Sequence, residues 1–180
     1  MKLVFFHPAV KHKFNSGFTL IELMITVVLM GIMVSMVTPL GLVAEGFKLD
    51  YLNQRIYSSA ALARSEAIKR SENVSVCRST AGTACDAGAN WADGWVIFVN
   101  PNRNNVIDAG EEILRVYNQV SSPVNIGWNN GQLLTFIPRG SPVGQGTFTL
   151  CPVPARPLAQ RQVNVSGSGL IRKQEGVNCP

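Results

Sequence analysis

One carboxylate, Glu22, stands inside an apolar stretch where a charge is costly. The segment from Gly17 to Pro39 is otherwise uncharged, and the run from Leu23 to Ala44 holds 22 residues without a charge. A bilayer core takes about 20 such residues in a helix. An acid inside a membrane helix costs about 2.5–3.5 kcal/mol on insertion scales, so a retained one needs a partner or a role. Three lysines, Lys2, Lys11 and Lys13, precede the stretch. A secretory signal peptide has an apolar region of only about 7–15 residues ending at a small-residue cleavage site, and no such site follows cleanly here.

The residues around Glu22 carry a family resemblance. Phe14-Asn15-Ser16-Gly17-Phe18-Thr19-Leu20-Ile21-Glu22 resembles the leader junction of type IV prepilins and type II secretion pseudopilins. In that family prepilin peptidase cuts a short basic leader after the glycine, and the new terminal residue is N-methylated. The resemblance therefore implies a leader of residues 1–17, cleavage between Gly17 and Phe18, and methylation of Phe18. It also implies that Glu22 is the glutamate used in filament assembly and registry. Pro39 matches a helix-bending proline that family members often carry. The residue chemistry agrees with this. Cleavage creates an ammonium at Phe18 one helical turn from Glu22, and an amine and a carboxylate at that separation can pair, within one subunit or between neighbours, offsetting the burial of both.

Other chemistries are scarce. Both histidines, His7 and His12, lie in the leader, so residues 18–180 contain none. That excludes Ser-His-Asp and Cys-His machinery and imidazole metal ligands. No catalytic residue and no cofactor are expected. The 16 basic residues include the three leader lysines, which leaves 13 against 11 acidic residues, a balance of +2. The four cysteines, at 77, 85, 151 and 179, are too widely spaced for a zinc pair. In a domain delivered outside the cytoplasm they read as two disulfides. Three connectivities exist, and the favoured one is Cys77–Cys85, closing a short loop, with Cys151–Cys179 tying down the C-terminus.

Two further groups are candidate sites. Counted from Asn100, oxygen-bearing side chains at Asn100, Asn102, Asn104, Asp108 and Glu111 fall on calcium-loop positions. However, the first three are uncharged amides, Arg103 intrudes, and Asn105 replaces the expected glycine. A plain turn uses the same residue types for backbone reasons, and it is the favoured reading. In the C-terminal third, Arg139, Arg156, Arg161, Arg172 and Lys173 oppose only Glu175. Such a cluster could neutralise phosphates of DNA if it lay on one face, or could simply be a solvated or subunit-contacting surface.

These residues need a scaffold. Leu52, Ile56, Ala60, Ala63 and Ala67 recur at helical spacing, which predicts a helix with an alanine-rich stripe lying close against a sheet. One helix is expected from about Thr19 to about Ser71, bent near Pro39 and Gly41. Gly31 in its first half suits close helix approach or is neutral. Eight short strands follow: Val74–Arg78, Gly94–Val99, Ile113–Tyr117, Val124–Trp128, Leu133–Pro138, Thr147–Cys151, Gln162–Val165 and Leu170–Lys173. The fold class is α+β, a long helix packed on antiparallel sheets, with residues 18–44 as the hydrophobic helix and 45–180 as the globular domain.

The block Trp91-Ala92-Asp93-Gly94-Trp95-Val96-Ile97-Phe98-Val99, then Asn100 to Asn105, Asp108-Ala109-Gly110-Glu111 and Leu114-Arg115, resembles the FimT/FimU/GspH group of minor pilins and pseudopilins. Gly146 to Cys151 and Ser168 to Arg172 fit the same group. The resemblance implies a non-enzymatic minor pilin that primes type IV pilus assembly near the filament tip, serving motility, adhesion or DNA uptake. The rival readings are a minor pseudopilin of a type II secretion system and a pilus-associated DNA receptor using Arg156, Arg161, Arg172 and Lys173. Implied partners are other minor pilins, the major pilin, prepilin peptidase, the inner membrane and, in the last reading, DNA. The implied location is the inner membrane of a Gram-negative bacterium before assembly, and the periplasm or an extracellular pilus afterwards.

Overall fold

The structure is a computed structural model that describes residues 17–37, 40–120, 123–155 and 158–179. It divides into two compact units, with the boundary along the chain after Leu40. The first contains helix α1, Leu20–Val37. Its residues up to Ser35 are all exposed, and it is apolar on every side apart from Glu22, Thr26 and Ser35. The hydroxyls of Thr26 and Ser35 bond back to the carbonyls of Leu23 and Ile32, which removes them as free polar groups. At 18 residues α1 is about 27 Å long. Among the described residues no helix is long and apolar enough to cross a membrane. The bend expected at Pro39 falls outside the described residues.

The second unit is built on helix α2, Leu40–Arg70. Its residues Leu49, Leu52, Ile56, Ala60, Ala63 and Ala67 are each at most 2% exposed. They join one hydrophobic cluster with the inner faces of two antiparallel four-stranded sheets. In chain order the strands are β1 (Val74–Arg78), β2 (Gly94–Val99), β3 (Ile113–Asn118), β4 (Val124–Trp128), β5 (Leu133–Phe136), β6 (Gly146–Pro152), β7 (Ala159–Val165) and β8 (Ile171–Asn178). The first sheet runs β3-β2-β1-β5 and the second β4-β6-β7-β8. Alternation sends Val74, Val76, Trp95, Ile97, Leu134 and Phe136 inward from the first sheet, and Val124, Ile126, Phe148, Leu150, Val163 and Val165 inward from the second.

The first sheet is buried on its other face too. There Cys77, Val96 and Phe98 form a smaller cluster, with Cys85, Ile107 and Leu133 packed against it. The segments 79–93 and 100–112 supply Cys85 and Ile107, and the Cys77–Cys85 disulfide fastens the first of them. Cys151 is joined to Cys179 just past the end of β8.

Three strands differ from the sequence expectation by two residues or more, and β7 is one of them, beginning at Ala159 rather than Gln162. β5 stops at Phe136 because Ile137 and Pro138 enter a turn, in which the Gly140 N–H bonds to the Ile137 carbonyl. β8 extends to Asn178, five residues beyond the expected end. Its pairing with β7 continues through Gln162 with Gln174 and Arg161 with Glu175, residues with no apolar alternation to mark a strand.

Ion pairs tie α2 to both sheets. Arg70 donates to Glu66 at 2.7 Å and to both carboxylate oxygens of Glu112, at 2.6 and 3.1 Å, joining the end of α2 to the entry of β3. The Arg70 guanidinium holds both carboxyls below the usual glutamate range, chiefly through these hydrogen bonds, and the two carboxylates in turn raise Arg70. On the other sheet, Arg161 of β7 donates to Asp50 of α2 at 2.5 Å and lies 3.2 Å from Glu175. Asp50 is the main reason its basicity is raised.

Depressed carboxyls stabilise the fold above their unfolded pKa, about 4.3 for glutamate, and lose that effect as pH falls through the folded value. Glu112→Gln is therefore expected to melt below the parent at pH 7, with the gap closing as pH falls below about 4.3. Melting curves from pH 7 to pH 3 measure this, and a gap that stays constant or widens in acid contradicts the Arg70 network. Arg161→Met is expected to lower the melting temperature by several degrees. Arg172→Ala, an exposed position, should leave it within about 1 °C of the parent.

Candidate functional site

Gly17, Phe18 and Thr19 run into α1 as non-helical residues, all exposed, with Phe18 at 78%. Thr19 starts the helix. Its carbonyl accepts from the N–H groups of Glu22 (3.1 Å) and Leu23 (3.2 Å), and its hydroxyl oxygen accepts from the Glu22 N–H at 3.3 Å. This is the first half of a capping box, with Thr19 as the N-cap and Glu22 three residues on. Sequence reading does not single out Thr19, although Thr19-Leu20-Ile21-Glu22 has that spacing. Glu22 thus occupies the first turn, where the helix dipole favours a negative charge. The residues from Phe18 to Val34 are all exposed. The arrangement suits recognition: a single carboxylate in the first turn of a helix that is otherwise almost wholly apolar. Residues 1–16, expected from the sequence to belong to a leader, lie outside the described residues.

The Trp91–Trp95 block is a structural joint. Asn90 and Asp93 cap the single 3-10 turn Trp91–Asp93: the Ala92 N–H donates to Asn90 Oδ1 at 2.9 Å, and the Asn90 N–H donates to Asp93 Oδ2 at 2.8 Å. Gly94 follows at φ 127°, where a Cβ would come within 2.7 Å of the carbonyl oxygens of Ser79 and Tyr117. Only glycine fits between them. Trp91 packs edge-on against Phe148 of the second sheet, with centroids 4.9 Å apart. Trp95 Nε1 donates to Ser59 Oγ of α2 at 2.9 Å. The block therefore links both sheets and the helix.

The calcium-loop candidates separate. Asn100 turns inward, fully buried, and its Nδ2 donates to Ser75 Oγ and to the Asn104 carbonyl, each at 2.9 Å. Asn102 and Asn104 both donate Nδ2 to Asp108 Oδ2, at 2.7 and 2.8 Å. Their amide oxygens accept from the backbone N–H groups of Asn104 and Val106, and Glu111 Oε2 accepts from the Asp108 N–H. The two amides thus aim nitrogen rather than oxygen at the one shared carboxylate, which is the geometry of a self-bonded turn. Among the described residues no group of three or more His, Cys, Asp or Glu could hold a metal.

The DNA candidates are not brought together either. Arg161 and Lys173 face α2. Arg161 is bound to Asp50 and Glu175, while Lys173 Nζ donates to Gln54 Oε1 at 2.7 Å and lies over the Tyr57 ring. Arg172 pairs with Asn164 rather than Val163, so it points to the opposite face of the sheet. Arg156 lies outside the described residues.

Comparison with known proteins supplies the family. The family model described as "Type II transport protein GspH" matches residues 53–169, and the "Prokaryotic N-terminal methylation motif" matches residues 12–38. The chain is 28% identical over 159 residues to the pilin-like protein PilA1 of Thermus thermophilus, covering 87% of this chain and 90% of that one. Its fold is similar to the type IV minor pilin FimU of Pseudomonas aeruginosa, with a TM-score of 0.60 at 20% identity over 76% of this chain and 98% of FimU. It is also similar to EpsH, a minor pseudopilin of the Vibrio cholerae type 2 secretion system, with a TM-score of 0.53 at 14% identity over 71% and 97% of the two chains. With well over half its length matched, the chain belongs to the GspH family, and the two solved structures whose fold it shares are a minor pilin and a minor pseudopilin.

Proposed function

We propose that this chain is a minor pilin of a type IV pilus, cut between Gly17 and Phe18 by prepilin peptidase, N-methylated at Phe18, and active in priming assembly near the filament tip. The observation that carries the reading is Glu22 in the first capped turn of a helix exposed and apolar all round. Such a surface is costly in water, and either lipid or neighbouring helices can cover it. Before assembly the uncharged run of 22 residues from Leu23 to Ala44 anchors the subunit in the inner membrane. On assembly, the Phe18 ammonium and a Glu22 carboxylate pair and fix register. Residues 45–180 face outward and meet other minor pilins and the major pilin. The rival role, a type II secretion pseudopilin, draws support from the description of the matching family. DNA reception draws less support, because Arg161 and Lys173 are engaged with α2.

The test is complementation of a deletion strain with the full chain, counting surface pili and measuring exported protein. Glu22→Ala is expected to be processed normally yet to reduce pilus number at least several-fold. Wild-type pilus counts in that variant contradict the role given to Glu22. Gly17→Leu is expected to accumulate as a precursor longer by the leader, and mature-sized protein from it would move the cleavage site. A deletion that spares pili and abolishes export assigns the chain to secretion.

A further inference from the structure

We propose that Arg55 and Arg115, beside the open edge of β3, form a docking surface for carboxylate side chains of a neighbouring protein subunit. The inference rests on the filament-subunit reading and specifies one of its contacts. Arg55 projects from α2 among three rings. Its guanidinium carbon lies 5.1 Å from the Trp95 ring centroid, 5.2 Å from that of Tyr117 and 5.8 Å from that of Tyr51. Trp95 and Tyr117 stack on each other at 4.9 Å and 18°. Arg115, exposed on β3, sets its guanidinium carbon 5.8 Å from the same Tyr117 ring. Two cations therefore share one aromatic ring.

Neither arginine makes a side-chain hydrogen bond or an ion pair among the described residues, which sets them apart from Arg70 and Arg161. The carboxylates nearest in sequence are already committed: Asp50 to Arg161, Glu112 to Arg70, and Glu111 to the Asp108 N–H. Three rings surround the Arg55 guanidinium, and the residue as a whole is half-buried. A guanidinium held this way has lost most of its freedom beforehand, and its fork matches a carboxylate in two parallel hydrogen bonds. Among the described residues neither arginine is given an acidic partner.

The surroundings favour a protein segment over nucleic acid. β3 is the outer strand of its sheet, so one side of its backbone offers N–H and C=O groups that a second strand can pair with. Ile113 and Val116 on it are exposed at 37% and 44%. The rings a base could stack on are taken up: Trp95 is fully buried, and Tyr117 is half-buried beneath the guanidinium groups. An extended acidic segment satisfies the edge and the cations together.

The experiment places a photo-crosslinking amino acid at Asn118, exposed at the end of β3, in the full chain within the cells that produce it. The expected adduct joins one protein within a few residues of an Asp or Glu. Arg115→Glu is expected to cut adduct yield about tenfold, the usual scale for breaking a charge pair at an interface, and Lys at the mapped acid should restore it. Arg115→Glu alters an exposed residue, and an unchanged melting temperature confirms that it folds. Arg115→Lys should retain much of the adduct. The proposal is overturned by an adduct to nucleic acid, by one to a stretch without acids, by one indifferent to Arg115→Glu, or by no adduct in cells whose pili or export need the chain. If neither pili nor export needs the chain, the filament-subunit reading itself fails.

Discussion

The close approach of α2 to its two sheets depends on alanine. Ala60, Ala63 and Ala67 are at most 1% exposed and share one cluster with Trp95, Phe136 and Phe148. A methyl group keeps the helix backbone near both sheets, so the bulk of the core comes from the strands. Interiors packed to this density tolerate little added volume, and an extra large group costs about 1–3 kcal/mol in forced shifts. The same closeness brings Ser59 Oγ within reach of Trp95 Nε1. Once Trp95 is fixed, Tyr117 stacks on it and Arg55 has its rings. The outer surface of β3 is therefore a consequence of the spacing of small residues on α2.

Much of this was legible in the sequence, for reasons that differ by segment. The α2 stripe is legible because burial against a sheet enforces helical spacing, and Leu52, Ile56, Ala60, Ala63 and Ala67 obey it. Strands β1, β2 and β4 begin and end where branched residues meet turn residues. The far half of β8 was not legible, because an edge strand exposed to water needs no apolar alternation: Gln174 and Glu175 pair as strand residues while reading as loop. Nor was the facing of Arg161 and Lys173. Charge clustering along a chain says nothing of which side of a strand each charge takes, and period-two alternation places Arg172 opposite to both. The Arg70 and Arg55 arrangements join α2 to distant strands, so no local pattern encodes them. Thr19 left a signal in its spacing from Glu22, one masked by the stronger apolar run around it.

The two units solve opposite problems. Among its described residues α1 presents no polar face to water, so lipid or similar helices suit its surface. The second unit buries its apolar groups within itself and fastens its segments with two disulfides. A helix apolar all round packs against lipid or similar helices with little selectivity, which leaves a single charge as its marker of register. Selectivity among partners must then come from the second unit, where polar groups can be matched or mismatched. For this reason the α1 region cannot distinguish a pilus from a secretion pseudopilus, whereas the surfaces of residues 41–180 can.

Within those surfaces, the arginines divide by what they already hold. Arg70 and Arg161 are internal ties, each gripping two carboxylates and joining α2 to a different sheet. Arg64 serves similarly, donating to the Gly140 carbonyl at 2.9 Å, and Arg78 to that of Ala89 at 3.1 Å. A cation spent in this way contributes little to binding, because a new ligand must first displace its partner. Net charge therefore overstates the basic surface on offer. What counts is the subset positioned by groups that do not neutralise it, and aromatic rings do this: they fix a guanidinium while leaving its charge and its donors intact. Arg55 and Arg115 meet that condition on a sheet edge, while the C-terminal cations Arg161 and Lys173, which look the more basic in sequence, are turned toward the helix.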